Sequence, residues 1–304
     1  MLQQIGYYII HPNEFLYRFV RCFNFLFQDK RYLEIIYYLK MGEKLNINNP
    51  QTFTEKLQWL KLYNHRPEYT SMVNKYTVKD FVSGVIGKEH IIPTIGVWDR
   101  PEQIDWDKLP NQFVLKTTHG GGGSGVVICK DKSSFDKGAA INKLNKSLKT
   151  DLYSINREWP YKNVSKRVIA EEYLSGDNGV LNDYKFFCFN GVVKIFKIDL
   201  DRFSGHRANY YDRAGNLMPF GEVACPPDYT RNVRLPEKLS TMISMAEKLS
   251  STHPFMRIDF YQNANEVYFG EITFFPAAGI GKFTDEKWDA ELGSWLLLPS
   301  EKTS

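Results

Sequence analysis

The chain has 304 residues, of which 43% are apolar and 24% charged, and its formal net charge is +4. That is the composition of a soluble globular protein with room for a substantial core in one large domain or two. The mild positive balance leaves room for an acidic substrate or an anionic membrane surface but is too weak to argue for nucleic acid, and no window of about 18 apolar residues is present to span a bilayer. The start, Met1-Leu2-Gln3-Gln4, lacks the basic region of a signal peptide. Cys22, Cys129, Cys188 and Cys225 lie far apart, with no C-x-x-C pair and no histidine at zinc spacing, and three of them read as buried thiols. The expected compartment is a reducing cytoplasm.

Residues 1–45 form a distinct aromatic and basic segment, and residues 46–304 form the main domain. Phe15, Phe19, Phe23 and Phe27 recur every four residues with Arg18, Arg21, Lys30 and Arg31 between them, which predicts a helix over 12–31. A second helix is expected over Tyr32 to Lys40. The segment suits either a helical cap packed on the main domain or an interfacial helix resting on an anionic leaflet.

Asn49-Pro50-Gln51-Thr52 breaks this pattern, and Thr52 or Thr54 is placed to cap a helix carrying Leu57, Leu60 and Leu62. A helix around Lys75–Val82 follows, and Ile91-Ile92-Pro93 opens a strand-like run. Phe113 to Val127 is the most informative stretch. An apolar run delivers Lys116, and Gly120, Gly121, Gly122 and Gly123 with Ser124 and Gly125 lead into a second apolar run. Clustered glycines let backbone N–H groups wrap an anion, and the lysine adds a point charge at the root of the loop. The order is wrong for a Walker loop, whose lysine follows its glycines and precedes a helix. The reading is a phosphate cradle on a β-hairpin spanning about 112–130, against the alternative of a flexible glycine hairpin with no ligand.

Ser134 is placed to cap a helix with Phe135, Ile141, Leu144 and Leu148 on one face. Strands are then expected over Val168–Leu174, Lys185–Asn190 and Val192–Leu200, with Asn190-Gly191 as a tight turn. Asn209–Tyr211 and a turn at Arg213–Asn216 continue the β region. Pro236 opens a helix bearing Leu239, Met242, Ile243, Ala246 and Leu249. Met256–Tyr261 and Glu266–Thr273 close the pattern as two strands. The fold class is α+β.

Three further segments complement the cradle. Glu171-Glu172-Tyr173-Leu174 ends a strand that can offer backbone groups to an adenine edge, with Asp177 near enough to take ribose hydroxyls. Alternation puts Arg257, Asp259 and Tyr261 on one face of a strand, and Glu271 with Thr273 on another. If those strands are antiparallel neighbours, Asp259 and Glu271 converge, and hard oxygen ligands of that kind suit Mg²⁺ bridging phosphates. Scattered charges on an exposed sheet face are the plain alternative.

The succession resembles the ATP-grasp superfamily. Asn74-Lys75-Tyr76-Thr77-Val78-Lys79 looks like its "D-K-x-x-x-K" helix start, with Asn74 in place of the usual Asp. Phe113–Val127 looks like the strand, lysine and glycine loop that close over phosphates. Ala170–Leu174 resembles the hinge strand at adenine. Met256–Tyr261 and Gly270–Pro276 resemble the arginine and metal strands, though Thr273 stands where Asn or Asp is usual.

Within the superfamily the chain is most similar, over roughly 45–285, to the teichuronopeptide-biosynthesis (TupA-like) ATP-grasp family. Asn49 to Lys61, Trp159-Pro160-Tyr161, Asp183-Tyr184-Lys185-Phe186 and Gly270 to Phe274 carry the likeness, and Thr273 is in keeping with that branch. The resemblance implies an ATP-grasp fold for residues 46–304 and ATP-dependent carboxylate–amine ligation through an acyl phosphate. ATP and Mg²⁺ would be the cofactors. Lys75, Lys116, Gly120–Gly123 and Ser124 would hold phosphates, Glu171 to Leu174 and Asp177 the nucleoside, and Asp259, Glu271 and Thr273 the metal. Arg257 would stabilise the acyl phosphate, and Lys185 would add a nucleotide contact. The implied acceptor is a uronic-acid or amino-acid carboxylate on a capsule or cell-wall glycan, met in part by Arg202, His206, Arg207 and Arg213, with an amine as co-substrate. A kinase acting on a glycan and a glycosyltransferase are the rival readings.

Overall fold

A computed structural model describes residues 12–176, 181–200, 205–263 and 265–300. Among them, nine strands form two antiparallel sheets. The small sheet has the order β1 (Thr94–Trp98), β4 (Val168–Glu172), β2 (Phe113–Thr117) and β3 (Val126–Cys129). The large sheet has the order β7 (Arg207–Asp212), β6 (Val192–Leu200), β5 (Asp183–Phe189), β8 (Phe255–Asn263) and β9 (Glu266–Thr273). The architecture is α+β, as the sequence implied.

Period-two alternation gathers the charged residues of each sheet on one face. In the small sheet Phe113, Leu115, Val168 and Ala170 join one buried cluster, while Lys116 and Glu171 take the opposite face. In the large sheet Phe186, Cys188, Phe196, Ile198, Ile258, Phe260 and Ile272 belong to the main core. Against these strands packs α8 (Leu239–Ser250), which buries Met242, Ile243, Met245, Ala246 and Leu249. Each fully buried phenylalanine contributes about 1.5–3 kcal/mol, so this layer is the main source of cohesion. The turn between β5 and β6 is Asn190-Gly191, with φ of 49° and 81°, the left-handed pair that a two-residue hairpin requires.

Near the N-terminus, α1 (Pro12–Cys22) and α2 (Asp29–Met41) precede α3 (Phe53–Tyr63). A capping box starts α3: the Thr52 hydroxyl accepts from the Glu55 N–H at 3.3 Å, and Glu55 accepts from the Thr52 N–H at 3.2 Å. Next in the chain come α4 (Glu68–Val73), α5 (Val78–Ile86), α6 (Lys137–Leu148) and α7 (Leu152–Asn156), and α9 (Lys287–Trp295) follows the large sheet. α9 crosses α3 so closely that a side chain at Gly293 would collide with the Gln51 carbonyl, which explains a glycine inside a helix.

Two local expectations need correction. The helix expected over 12–31 is broken: α1 ends at Cys22, a short 3₁₀ turn covers Asn24–Leu26, and α2 begins at Asp29. Phe27 therefore turns inward toward Tyr32 while Phe15, Phe19 and Phe23 stay exposed. The cap of α6 is Asp136, whose carboxylate accepts from the Ala139 N–H at 2.8 Å, and Ser134 lies in the turn before it.

α2 is bound to the main domain. The Tyr32 hydroxyl donates to the Ile155 carbonyl at 2.6 Å, the Tyr37 and Thr54 hydroxyls lie 3.0 Å apart, and Arg157 pairs with Asp29 at 2.8 Å. α1 packs on α2 and buries Tyr17 and Val20 but leaves Phe15, Leu16, Phe19, Phe23, Phe25 and Leu26 in solvent. No helix among the described residues is long and apolar enough to cross a membrane.

Candidate active site

Lys75 ties the two sheets together. Its ammonium donates to the Gly120 carbonyl at 2.8 Å and to Glu271 of β9 at 2.9 Å, while its backbone N–H donates to the Thr118 carbonyl at 2.8 Å. Asn74 sets this lysine in place. Its amide donates to the Ser165 carbonyl at 2.9 Å, and its side-chain oxygen accepts from the Tyr76 N–H at 3.0 Å. An aspartate could make only the second bond, which explains the asparagine here.

On the small sheet, Lys116 meets Glu171 at 2.6 Å and Lys79 of α5 meets the same carboxylate at 2.5 Å. Lys79 also donates to the Ile92 carbonyl at 2.7 Å and the Thr94 hydroxyl at 2.6 Å. Glu171 is buried. Burial pushes its carboxyl up, but Lys116 and Lys79 outweigh it and hold the group below the ordinary carboxylate range. Its neighbour Glu172 is exposed, and Tyr173 and Leu174 follow the strand end. The glycine loop joins β2 to β3 with φ of 61° at Gly122 and 77° at Gly123. Gly121 to Ser124 face solvent. Asp177 lies outside the described residues.

The large sheet presents a charged row. Antiparallel register sets Lys197 opposite Lys185, Lys185 opposite Asp259, and Asp259 opposite Glu271. Gly270 is skipped by the pairing just beyond, forming a bulge whose backbone approaches the Asp259 carbonyl closely. Arg257 grips Asp259 through two bonds of 2.7 and 2.8 Å and reaches Glu271 at 3.2 Å. Lys185 contacts Asp183, Asp199 at 2.8 Å and Asp259 at 3.6 Å. Lys197 pairs with Glu222 at 3.3 Å, and the Tyr210 hydroxyl donates to Glu222 at 2.5 Å. Thr273 lies opposite Arg257.

Electrostatics separates the two metal candidates. Burial pushes Asp259 up to about 6, with Arg257 and Lys185 pulling the other way. Burial acts on Glu271 in the same direction, yet Lys75 and Arg257 win and hold it well below the carboxylate range. Two carboxylates in facing register offer the hard oxygens that a divalent cation takes, and here Arg257 and Lys75 occupy all four of them.

Several participants escaped the sequence reading. Lys79 stands four residues after Lys75, and Asp183 two residues before Lys185, so both lay inside motifs already singled out but were given no role. Asp199 and Lys197 share the alternation of β6. Lys61, buried beneath the end of β9, donates to the Ala278 carbonyl at 2.7 Å, and Gln58 donates to the Gly279 carbonyl at 2.6 Å. They hold a turn in which Ala277, Ala278 and Gly279 all have positive φ, of 48°, 54° and 65°. Such backbone costs about 1–3 kcal/mol per non-glycine residue and clusters at functional sites. Burial pushes Glu158, near Lys61, up to about 7 and Lys61 down to about 8. Of the basic residues assigned to an acidic sugar, Arg213 is held by Glu247, Arg207 is exposed, and Arg202 lies outside the described residues.

Two antiparallel sheets bridged by a lysine, one offering a glycine hairpin and the other a carboxylate row, define the ATP-grasp class. The model of the TupA-like ATPgrasp family matches residues 55–297. The chain belongs to that family. Similar solved structures include a D-alanine–D-alanine ligase from Bacillus anthracis complexed with ATP (15% identity, 67% of this chain and 53% of that one, TM-score 0.38). Others are D-alanyl-alanine synthetase A from Vibrio cholerae O1 biovar eltor (13%, 74% and 61%, TM-score 0.44) and D-cycloserine synthetase DcsG (14%, 73% and 71%, TM-score 0.39). The chain spans little more than half the length of the Bacillus anthracis protein. Comparison with curated protein sequences finds no match.

Proposed function

We propose that the protein is an ATP-dependent carboxylate–amine ligase acting on a carboxylate of a surface polysaccharide. The observation that carries this reading is the Lys75 bridge, which brings the glycine hairpin and the Glu271 carboxylate within one side chain's reach of each other. Lys116, Lys75, Gly120–Gly123 and Ser124 bind the phosphates, and the strand end at Glu171 to Leu174, with Asp177, receives the nucleoside. Lys79 positions Glu171, which fixes the direction of the Lys116 ammonium. Asp259 and Glu271 hold Mg²⁺, with Thr273 as a neutral third donor. When bound, the ion neutralises phosphate charge and orients the terminal phosphoryl group.

Little covalent chemistry falls to the side chains. Arg257 offers its guanidinium to the anionic acyl phosphate, and Lys185 keeps Asp259 oriented while adding positive charge beside the phosphates. The acceptor carboxylate attacks the terminal phosphorus with loss of ADP. The amine then attacks the acyl carbon, phosphate leaves, and the ammonium proton passes to solvent or base. The strained turn at Ala277–Gly279, next to the metal strand and fixed by Lys61 and Gln58, is the natural wall for the acceptor.

Purified protein incubated with Mg·ATP, an acidic oligosaccharide and an amine tests this directly. A ligase releases ADP and phosphate only with both substrates present and leaves a product heavier by the amine less water. ADP release without an amine, leaving a stable phosphate ester, makes the protein a kinase. Consumption of a nucleotide sugar with indifference to ATP makes it a glycosyltransferase.

The same reading accounts for α1. Its exposed Phe15, Leu16 and Phe19, with Phe23, Phe25 and Leu26 just beyond, lie among exposed Arg18, Lys30 and Arg31. A glycan assembled on a lipid carrier would favour peripheral attachment of this face to the anionic cytoplasmic leaflet, placing the enzyme at the inner side of the membrane.

A further inference from the structure

Asp199 at the end of β6, His206 just before β7 and Cys225 in the turn after Glu222 bring one oxygen, one nitrogen and one sulfur donor within 4.8 Å of one another. The His206 Nε2 lies 3.3 Å from Asp199 Oδ1 and 3.5 Å from Cys225 Sγ. Around a tetrahedral zinc ion, bonds of about 2.0 Å to nitrogen and oxygen and about 2.3 Å to sulfur set ligand edges of about 3.3 Å and about 3.5 Å. The two separations in the protein match those edges.

Asp199 supplies an independent pointer. Its side chain is only 4% exposed, and its two oxygens are used differently. Oδ2 faces Lys185 at 2.8 Å, whereas Oδ1, aimed at His206 and Cys225, makes no well-formed hydrogen bond and has only the longer ionic contacts to His206 at 3.3 Å and Lys197 at 3.8 Å. A buried carboxylate oxygen held only by such long contacts gains from a cation that meets it directly. Lys197 is 3.8 Å away, beyond hydrogen-bonding range, and stays engaged with Glu222. The backbone is fixed on all three sides: Asp199 pairs with Ala208, the Ala208 N–H donates to the Pro226 carbonyl at 3.3 Å, and the Cys225 N–H donates to the Glu222 carbonyl at 3.1 Å. The His206 side chain is 37% exposed, which gives an ion an entry path.

We propose that Asp199, His206 and Cys225 form a binding site for a divalent transition metal of the zinc type, separate from the Asp259–Glu271 pair. The thiol and imidazole select a borderline-soft ion over Mg²⁺. Binding releases the Cys225 thiol proton to solvent, so thiolate and Asp199 together balance the dication. Three protein ligands leave a fourth position for water or a donor atom of the acceptor.

The test uses the full chain, dialysed against a chelator and titrated with Zn²⁺ alone, then with Co²⁺ as a spectroscopic stand-in. One equivalent should bind, and cobalt should give a thiolate-to-metal charge-transfer band. Cys225→Ser should lose the band, and both Cys225→Ser and His206→Gln should bind zinc at least about tenfold more weakly. Wild-type protein without the band, or variants binding zinc as tightly as wild type, overturns the site. The Mg·ATP affinity of Cys225→Ser should stay within about twofold of wild type. Failure of wild-type protein to bind Mg·ATP would overturn the nucleotide reading and leave the metal result standing.

Discussion

The two sheets carry opposite surpluses of charge around Lys75. On the small-sheet side Lys79 and Lys116 share the single carboxylate of Glu171. On the large-sheet face Lys185, Lys197 and Arg257 stand among Asp183, Asp199, Asp259, Glu222 and Glu271. One side is short of anions and the other short of cations, which is the imbalance that the proposed phosphate and metal sites would offset. The contrast teaches that the two ion-pair networks are unbalanced in opposite senses, each in the direction its proposed ligand would offset.

The largest effect should come from opening the lysine-rich side. Glu171→Ala leaves two ammonium groups around a buried site without their counter-ion, and should cost about 3–5 kcal/mol of stability in urea unfolding. Glu172→Ala, one residue along but exposed, should stay within about 0.5 kcal/mol. Equal effects would mean that Glu171 is not the anchor of that side.

On the acidic side, Glu271→Gln and Asp259→Asn should each lower ADP release by about 10²–10³-fold with the far-ultraviolet circular dichroism unchanged. Thr273→Asn should retain turnover, because it exchanges one neutral oxygen donor for another. Loss of turnover in Thr273→Asn but not in Glu271→Gln would move the metal elsewhere.

Each side also holds a buried histidine, His119 after β2 and His253 before β8, and burial pushes both imidazoles down to about 4. Both stay neutral in the fold, whereas the unfolded chain takes up protons below about 6.5. Stability should therefore fall as pH drops from about 6.5 to about 4, by up to about 1.4 kcal/mol per pH unit for each histidine. His119→Asn should flatten part of that slope, and an unchanged slope would exclude His119 as its source.

The smallest effect expected is at α1. Pelleting with vesicles containing anionic lipid should exceed that with neutral vesicles and should fall with salt. Phe19→Ser with Phe25→Ser should reduce it. Equal pelleting with both kinds, or none, leaves the segment a structural cap.

Much of this was legible in the sequence for a simple reason: strand alternation and short-range signals do not depend on tertiary context. The hairpin at Asn190-Gly191 follows from spacing, as does a helix cap at Thr52 or Thr54; the facing of Asp259 with Glu271 needed the antiparallel pairing of their strands as well. What spacing could not show is which groups from distant elements pair. Glu171 and Glu172 look alike in sequence, yet β4 turns one inward to Lys79 and Lys116 and the other outward. His206 and Cys225 are 19 residues apart, a separation with no metal-site pattern, and only the antiparallel pairing of β6 with β7 and the turn at Glu222–Cys225 bring them to Asp199. The Phe15–Phe27 series failed as one helix because periodicity cannot sense the break at Cys22.

The division of labour between the two sheets is tested most directly by calorimetric titration of ATP, with and without Mg²⁺, into wild type, Lys116→Ala, Lys75→Ala and Glu271→Gln. The lysine variants should lose about 1.5–3 kcal/mol of binding whether or not the ion is present. Glu271→Gln should lose only the increment that Mg²⁺ adds. Unchanged affinity in both lysine variants, or a loss in Glu271→Gln that is the same without the ion, would contradict the account.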